Sequence, residues 1–169
     1  MNFGKEIYEQ AADIIKISAR KGYRIIVAES CTGGLISAAL TEVSGSSRVI
    51  EGGFFVYSNA MKFKQLGISE ALYMEHGSVS KKMAYQMAQG ALENSNANIA
   101  LGVTGIAGPT GGTPEKPVGL VHICALQKNG DKFEMKYIFR GEDRAGIRIK
   151  TVGEALTILK QIIDENQYA

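Results

Sequence analysis

Arg24-Ile25-Ile26-Val27-Ala28-Glu29-Ser30-Cys31-Thr32-Gly33-Gly34-Leu35-Ile36-Ser37-Ala38-Ala39-Leu40 decides the fold. Arg24 to Ala28 is a short apolar run rich in β-branched residues, the pattern of a strand buried on both faces. Leu35 to Leu40 has helical composition. Between the two runs stand a hydroxyl, a thiol, a second hydroxyl and two glycines. At such a strand-to-helix junction the first amides of the helix lack partners and the dipole is positive. The junction suits a nucleophile or an anion, with Ser30, Cys31 and Thr32 as candidates.

Before this stretch, Phe3, Ile7, Ala11, Ile14, Ile15 and Ser18 recur three or four apart among charged residues, predicting an amphipathic helix that ends near Gly22. After it, the second helix should close by Val43, before the Ser44-Gly45-Ser46-Ser47 loop. Ile50 to Tyr57 reads as a second strand, with Gly52-Gly53 marking a bulge or a close backbone approach. Asn59 is the expected cap of a short helix over Ala60 to Leu66, stopped by Gly67. This puts Tyr57 at a strand end and Lys62 in the first turn of the next helix. Ser69 can cap one more turn before His76-Gly77, and Ser80 a longer helix through Asn94.

Ile99 to Thr104 is the third buried strand. It runs into Gly105-Ile106-Ala107-Gly108-Pro109-Thr110-Gly111-Gly112-Thr113-Pro114-Glu115-Lys116-Pro117, which holds all 3 prolines of the chain. A loop of this length is commonly functional. Val118–Leu126 and Lys132–Arg140 alternate about Lys128-Asn129-Gly130-Asp131, a strong hairpin signal. Asp143 can cap a long final helix through Ile163.

Alternating helices and strands predict a single α/β domain over residues 1–169. The expected architecture is a three-layer α/β/α sandwich whose mixed, mainly parallel central sheet carries an antiparallel hairpin. The length of 169 residues and 45% hydrophobic content suit one domain with a full core. Net charge is +2 with lysine and arginine scattered among 17 acidic residues, so no basic stripe argues for nucleic acid. No apolar run approaches the ~20 residues of a membrane helix. Two cysteines and no basic-then-apolar leader predict a reduced, cytoplasmic chain. His76, His122, Cys31 and Cys124 lack metal-ligand spacing, and neither a metal nor a cofactor is expected.

Ligands of open α/β sheets gather beyond the carboxyl ends of the parallel strands. Three segments meet that description: Ser30 onward, Tyr57 to Lys62, and Thr104 onward. No histidine lies in them, so a serine nucleophile would need a lysine base.

Ala28-Glu29-Ser30-Cys31-Thr32-Gly33-Gly34, Tyr57-Ser58-Asn59 with Lys62, His76-Gly77 with Val79-Ser80, Val103-Thr104-Gly105-Ile106-Ala107-Gly108-Pro109, Gly111-Gly112-Thr113 with Lys116-Pro117-Val118-Gly119, and Arg144 with Arg148 together resemble the CinA C-terminal domain family. This is the family of nicotinamide-nucleotide amidohydrolases, or nicotinamide mononucleotide deamidases, and the likeness covers nearly the whole chain. The resemblance implies metal-free hydrolysis of the carboxamide of nicotinamide mononucleotide to nicotinic acid mononucleotide and ammonia. It further implies a stand-alone form of a domain often fused to a second one, and a homo-oligomer.

By position, the resemblance makes Ser30 the nucleophile, Lys62 its base and Tyr57 their neighbour, with Thr104 and Arg144 supporting substrate. The helix start at Cys31, Thr32, Gly33 and Gly34 is expected to supply oxyanion amides. The phosphate is expected against the Thr104, Gly105, Ile106 and Gly108 loop amides, Thr110 or Thr113, and Arg144 or Arg148.

Simpler roles compete for the same residues. A lone serine before a helix is a cap, a lone helix lysine is solvated, and Arg144 and Arg148 at i, i+4 can pair with surface acids. Cys31 rivals Ser30 because a thiol at a helix start can have a lowered pKa. A module that binds a pyridine nucleotide without turning it over, or an amidohydrolase of another small amide, is the alternative function.

Overall fold

A computed structural model describes residues 3–165. Its elements run α1 (Lys5–Lys21), β1 (Ile25–Glu29), α2 (Leu35–Thr41), a 3-10 turn (Ser46–Arg48), β2 (Ile50–Phe55), α3 (Asn59–Leu66), α4 (Glu70–His76), α5 (Lys81–Glu93), β3 (Ile99–Gly105), β4 (Leu120–Gln127), β5 (Lys132–Ile138) and α6 (Arg144–Glu165). The five strands form one sheet in the order β2-β1-β3-β4-β5. β1 pairs parallel with β2 and with β3, while β3–β4 and β4–β5 are antiparallel. The parallel character therefore belongs to β2, β1 and β3, and the hairpin makes up the rest.

Side chains alternating along each strand divide between two helical layers, as a period of two requires. Ile25, Val27, Leu101, Val103 and Ile123 join α1, α2 and α6 in one core. Ile26, Ala28, Ala100, Cys124 and Leu126 join α3 and α5 in the other. β1 is buried at all five residues, as its unbroken apolar run predicts for a central strand. Gly102 lets α5 close on β3: a Cβ there would lie 2.1 Å from the Ala84 carbonyl oxygen.

The local signals account for most boundaries. Gly22 ends α1 in the left-handed conformation, and Ser69 and Ser80 cap α4 and α5 through their hydroxyls. Asp143 caps α6 by accepting from the Gly146 amide at 2.7 Å. The cap of α3 is Ser58, which accepts from the Met61 amide at 3.2 Å, and not Asn59, which is already helical. The bulge in β2 falls at Glu51, where the register with β1 slips by one residue; Gly53 instead permits the close approach of Ser37. The hairpin turns at Asn129-Gly130, with Gly130 at φ 103°.

Candidate active site

From β1 the chain passes by α2 to β2 on one side, then returns across the sheet to β3 on the other. The crevice beyond the carboxyl ends of β1 and β3 is the switch point, the usual ligand position in this class of sheet. A cavity of about 400 Å³ opens there, lined by Ser30, Cys31, Tyr57, Ser58, Asn59, Lys62, Ser78, Val79, Thr104 and Gly105. The three predicted segments thus converge, and His76–Ser80 adds Ser78 and Val79.

Ser30 extends β1 by donating its amide to the Val103 carbonyl at 3.1 Å. The strand alternation that turns Ile26 and Ala28 toward α3 and α5 turns Ser30 to that same face. Thr104 is buried beside it on β3 and donates its hydroxyl to the Ser78 carbonyl at 2.6 Å. The segment before α5 is thereby tied to the floor of the cavity.

Lys62 is only 2% exposed, an unusual burial for a lysine. Its side chain leans back toward the amino end of α3, as helical side chains do, and its Nζ donates to the Tyr57 carbonyl at 3.3 Å. Burial lowers its pKa, and the neighbouring Cys31 opposes that shift. The positive end of α3 further disfavours the ammonium. Lys62 is therefore moved toward a neutral amine that can accept a proton, with a carbonyl to orient it.

Tyr57 is exposed, and its hydroxyl accepts from Arg144 Nη2 at 3.0 Å. The same guanidinium donates through Nη1 to the Gly108 carbonyl at 2.8 Å. Arg144 thus joins the tyrosine at one wall to the glycine-rich loop at the other. Arg148 donates to the Cys31 carbonyl at 3.1 Å and the Thr32 carbonyl at 2.8 Å, clamping the turn after Ser30 from below. Arg144 and Arg148 do not line the Ser30 cavity. They line an adjoining one of about 450 Å³ with Ala107, Pro109, Val118, Glu142, Asp143 and Ala145. Ile106 donates its amide to the Leu120 carbonyl and accepts from the Gly119 amide, so it braces the loop.

The start of α2 differs from the expected anion site. The carboxylate of Glu29, 1% exposed, accepts from the amides of Gly34 at 3.0 Å, Ile36 at 3.2 Å and Ser37 at 2.9 Å, and from the Ser37 hydroxyl at 2.7 Å. Gly33 donates to the Ser30 carbonyl and Leu35 to the Thr32 carbonyl. The protein's own carboxylate fills the positive helix end, so Gly33 and Gly34 have no amide to offer a substrate. The amides of Cys31 and Thr32 are left, and both point at the Cys31 sulfur. Among the described residues the buried Thr32 hydroxyl has no hydrogen-bond partner. Glu29 escaped assignment in the sequence although it lies inside the decisive stretch. An acid at a buried strand end just before a glycine turn and a helix is the signal that could have found it.

Cys31 is buried, and burial, with Glu29 adding to it, pushes its thiol up to about 12; the facing amides and Arg148 act in the other direction but do not prevail. A thiol so held is a poor source of thiolate. Ser30 and Cys31 both line the cavity that holds the buried Lys62 amine. Among the described residues no cluster of histidine, cysteine or carboxylate could hold a metal, and no helix is long and apolar enough to cross a membrane.

The model of the CinA C-terminal domain matches residues 7–163. The chain belongs to the CinA C-terminal domain family. It is 41% identical over 160 residues to the nicotinamide-nucleotide amidohydrolase PncC of Enterobacter agglomerans, covering 94% of this chain and 97% of that one. A CinA-like protein of Anaeromyxobacter is 46% identical over 158 residues, 94% of this chain and 38% of the relative. The first curated relatives are much longer, and the chain spans only 36% of their length. Among solved structures, the competence/damage inducible protein CihA of Agrobacterium tumefaciens superposes with a TM-score of 0.92 at 44% identity, covering 99% of both chains.

Proposed function

We propose that the chain hydrolyses the carboxamide of nicotinamide mononucleotide to the acid and ammonia, with Ser30 as nucleophile and Lys62 as general base. The burial of Lys62 in the cavity that also holds Ser30 carries this reading. Near neutral pH a solvated lysine is almost wholly protonated; one with its pKa lowered by burial can take the hydroxyl proton. The near full-length likeness to a nicotinamide-nucleotide amidohydrolase supports the choice of amide.

Ser30 attacks the carboxamide carbon as its proton passes to Lys62. As the oxyanion forms, the Arg148 clamp on the Cys31 and Thr32 carbonyls holds the turn that carries Ser30 in place. Lys62 returns the proton to the leaving nitrogen, and ammonia departs from an acyl-serine. Water then attacks the ester with Lys62 again as base. Arg144 sets the Tyr57 hydroxyl at the mouth, where the ring covers one side of the pocket and Phe55, at a centroid distance of 5.9 Å, supports it.

Ammonia release from nicotinamide mononucleotide, beside free nicotinamide and the dinucleotide, tests the reading. Turnover lost in Ser30→Ala and retained in Cys31→Ala is expected. Activity surviving Ser30→Ala but not Cys31→Ala would transfer the nucleophile to the thiol, and binding without ammonia would make the domain a binding module.

A further inference from the structure

Lys116 sits on the glycine-rich loop between β3 and β4 and does not line the Ser30 cavity. Its half-buried side chain leaves the loop and donates Nζ to the His76 carbonyl at 2.8 Å. His76 is the last residue of α4, so its carbonyl is one that a helix end leaves without an intrahelical donor, at the negative end of the dipole. A lysine ammonium satisfies it. Gly77 leaves room for this approach: a Cβ there would lie 3.0 Å from Lys116 Nζ, and its φ of 74° also favours glycine.

The residue so held begins a wall of the cavity. Two positions past His76, the Ser78 carbonyl accepts from the buried Thr104 hydroxyl at 2.6 Å, and Ser78 and Val79 line the cavity with Ser30 and Lys62. Ser80 then caps α5 by accepting from the Met83 amide at 3.1 Å. The link from α4 to α5 is thus fixed by Lys116 at its start, by Thr104 in its middle and by its own cap at its end. Lys116 also stands near the Thr104 end of the sheet: His122, which pairs with Thr104 on β4, has its pKa lowered to about 4 by burial first, then by Lys136 and Lys116. His122 is neutral near pH 7 and adds no positive charge against the lysine.

The loop is braced as an anchor. The Lys116 amide donates to the Thr113 hydroxyl at 3.1 Å and the Lys116 carbonyl accepts from the Thr113 amide at 2.9 Å, which closes the turn that carries the lysine. Ile106 and Leu120 close the base of the loop, and Arg144 holds its Gly108 carbonyl at 2.8 Å. Arg144 also donates to the Tyr57 hydroxyl on the other side of the cavity. The loop therefore ties both walls together, Tyr57 through Arg144 and Ser78–Val79 through Lys116, although its residues 106–117 line none of the cavity.

We propose that Lys116 is a positioning residue for the Ser30 cavity, holding the Ser78–Val79 wall, and with it the acceptor of the Thr104 hydroxyl, in the geometry that receives substrate. The choice of substrate rests on the amidohydrolase reading above. Lys116→Met keeps most of the stem and removes the donor, so the link from α4 to α5 opens more often and binding must reclose it. The Gly77 amide, bonded to the Tyr73 carbonyl at 2.7 Å, should then exchange with deuterium about tenfold faster by NMR, as loss of one charge-assisted hydrogen bond requires, while the amides of β1 exchange as before. KM for nicotinamide mononucleotide should rise about threefold or more with kcat little changed. In Lys116→Arg, whose guanidinium can donate to the same carbonyl, both values should return toward those of the wild type. A lysine that served folding alone would speed exchange in β1 as well and leave KM unmoved. That pattern, unchanged exchange at Gly77, a loss confined to kcat, or no recovery in Lys116→Arg would overturn the proposal. If the wild type hydrolyses no amide, exchange at Gly77 and its recovery in Lys116→Arg still decide the tether, and the amidohydrolase reading alone falls.

Discussion

Glu29→Gln tests whether the buried carboxylate holds the nucleophile turn. One carboxylate oxygen accepts from the Ser37 amide and hydroxyl, the other from the Gly34 and Ile36 amides. A glutamine that keeps the Gly34 and Ile36 pair turns its NH2 to Ser37, whose hydroxyl can accept from it but whose amide loses its acceptor. An unsatisfied buried donor costs about 1–3 kcal/mol, and losing a negative charge at the helix start costs about 0.3–1 kcal/mol more. Relief of the carboxylate's desolvation offsets part of this, leaving a net loss of about 1–3 kcal/mol. With a urea m-value of ~1–3 kcal/mol/M, the unfolding midpoint should fall by roughly 1–2 M. Because Ser30 is the next residue, turnover should fall as well, while substrate binding falls less. A stability change below about 1 kcal/mol together with full turnover would refute the role given to Glu29.

Other expected outcomes follow from the same geometry. Lys62→Met should abolish turnover yet raise stability near neutral pH, by ~1.4 kcal/mol for each unit by which folding lowers the lysine pKa. Between the lowered folded pKa and the ordinary 10.5, the unfolded chain binds more protons than the folded one. Wild-type stability should therefore rise with pH across that window, and thermal melts of Lys62→Met should lack the rise. Arg148→Lys loses the paired donation to Cys31 and Thr32, and kcat should drop more than tenfold with KM nearly constant, read from initial rates. Cys31 should resist iodoacetamide in the native protein at pH 8 and react on unfolding in urea, followed by mass spectrometry, since burial holds its thiol near 12. Gly102→Ala should destabilise by about 2 kcal/mol or more in urea titrations, because its Cβ would overlap the α5 backbone.

Much of the fold is legible along the chain because the signals are local. The apolar run Ile25–Ala28 marks the central strand, Gly22 and Gly67 stop helices, Ser69 and Ser80 start them, and Asn129-Gly130 turns the hairpin. Each depends on backbone conformations or hydrogen bonds within a few residues. The cap at Ser58 was harder to place because Asn59, beside it, is an equally good capping type. The bulge at Glu51 depends on pairing with β1, which no local pattern records.

The sequence by itself determined the α/β class, the convergence of three strand ends, and the residue types available for an amide hydrolysis. Only the tertiary structure decided what each residue is free to do. Glu29 fills the helix end that composition offers to an anion, and Arg148 is engaged by the turn instead of being left to a ligand. Lys62 becomes a candidate base because α3 buries it in the cavity that Ser30 lines. Desolvation and hydrogen-bond occupancy come from neighbours distant in sequence, so the opening stretch could name its candidates but could not choose among them.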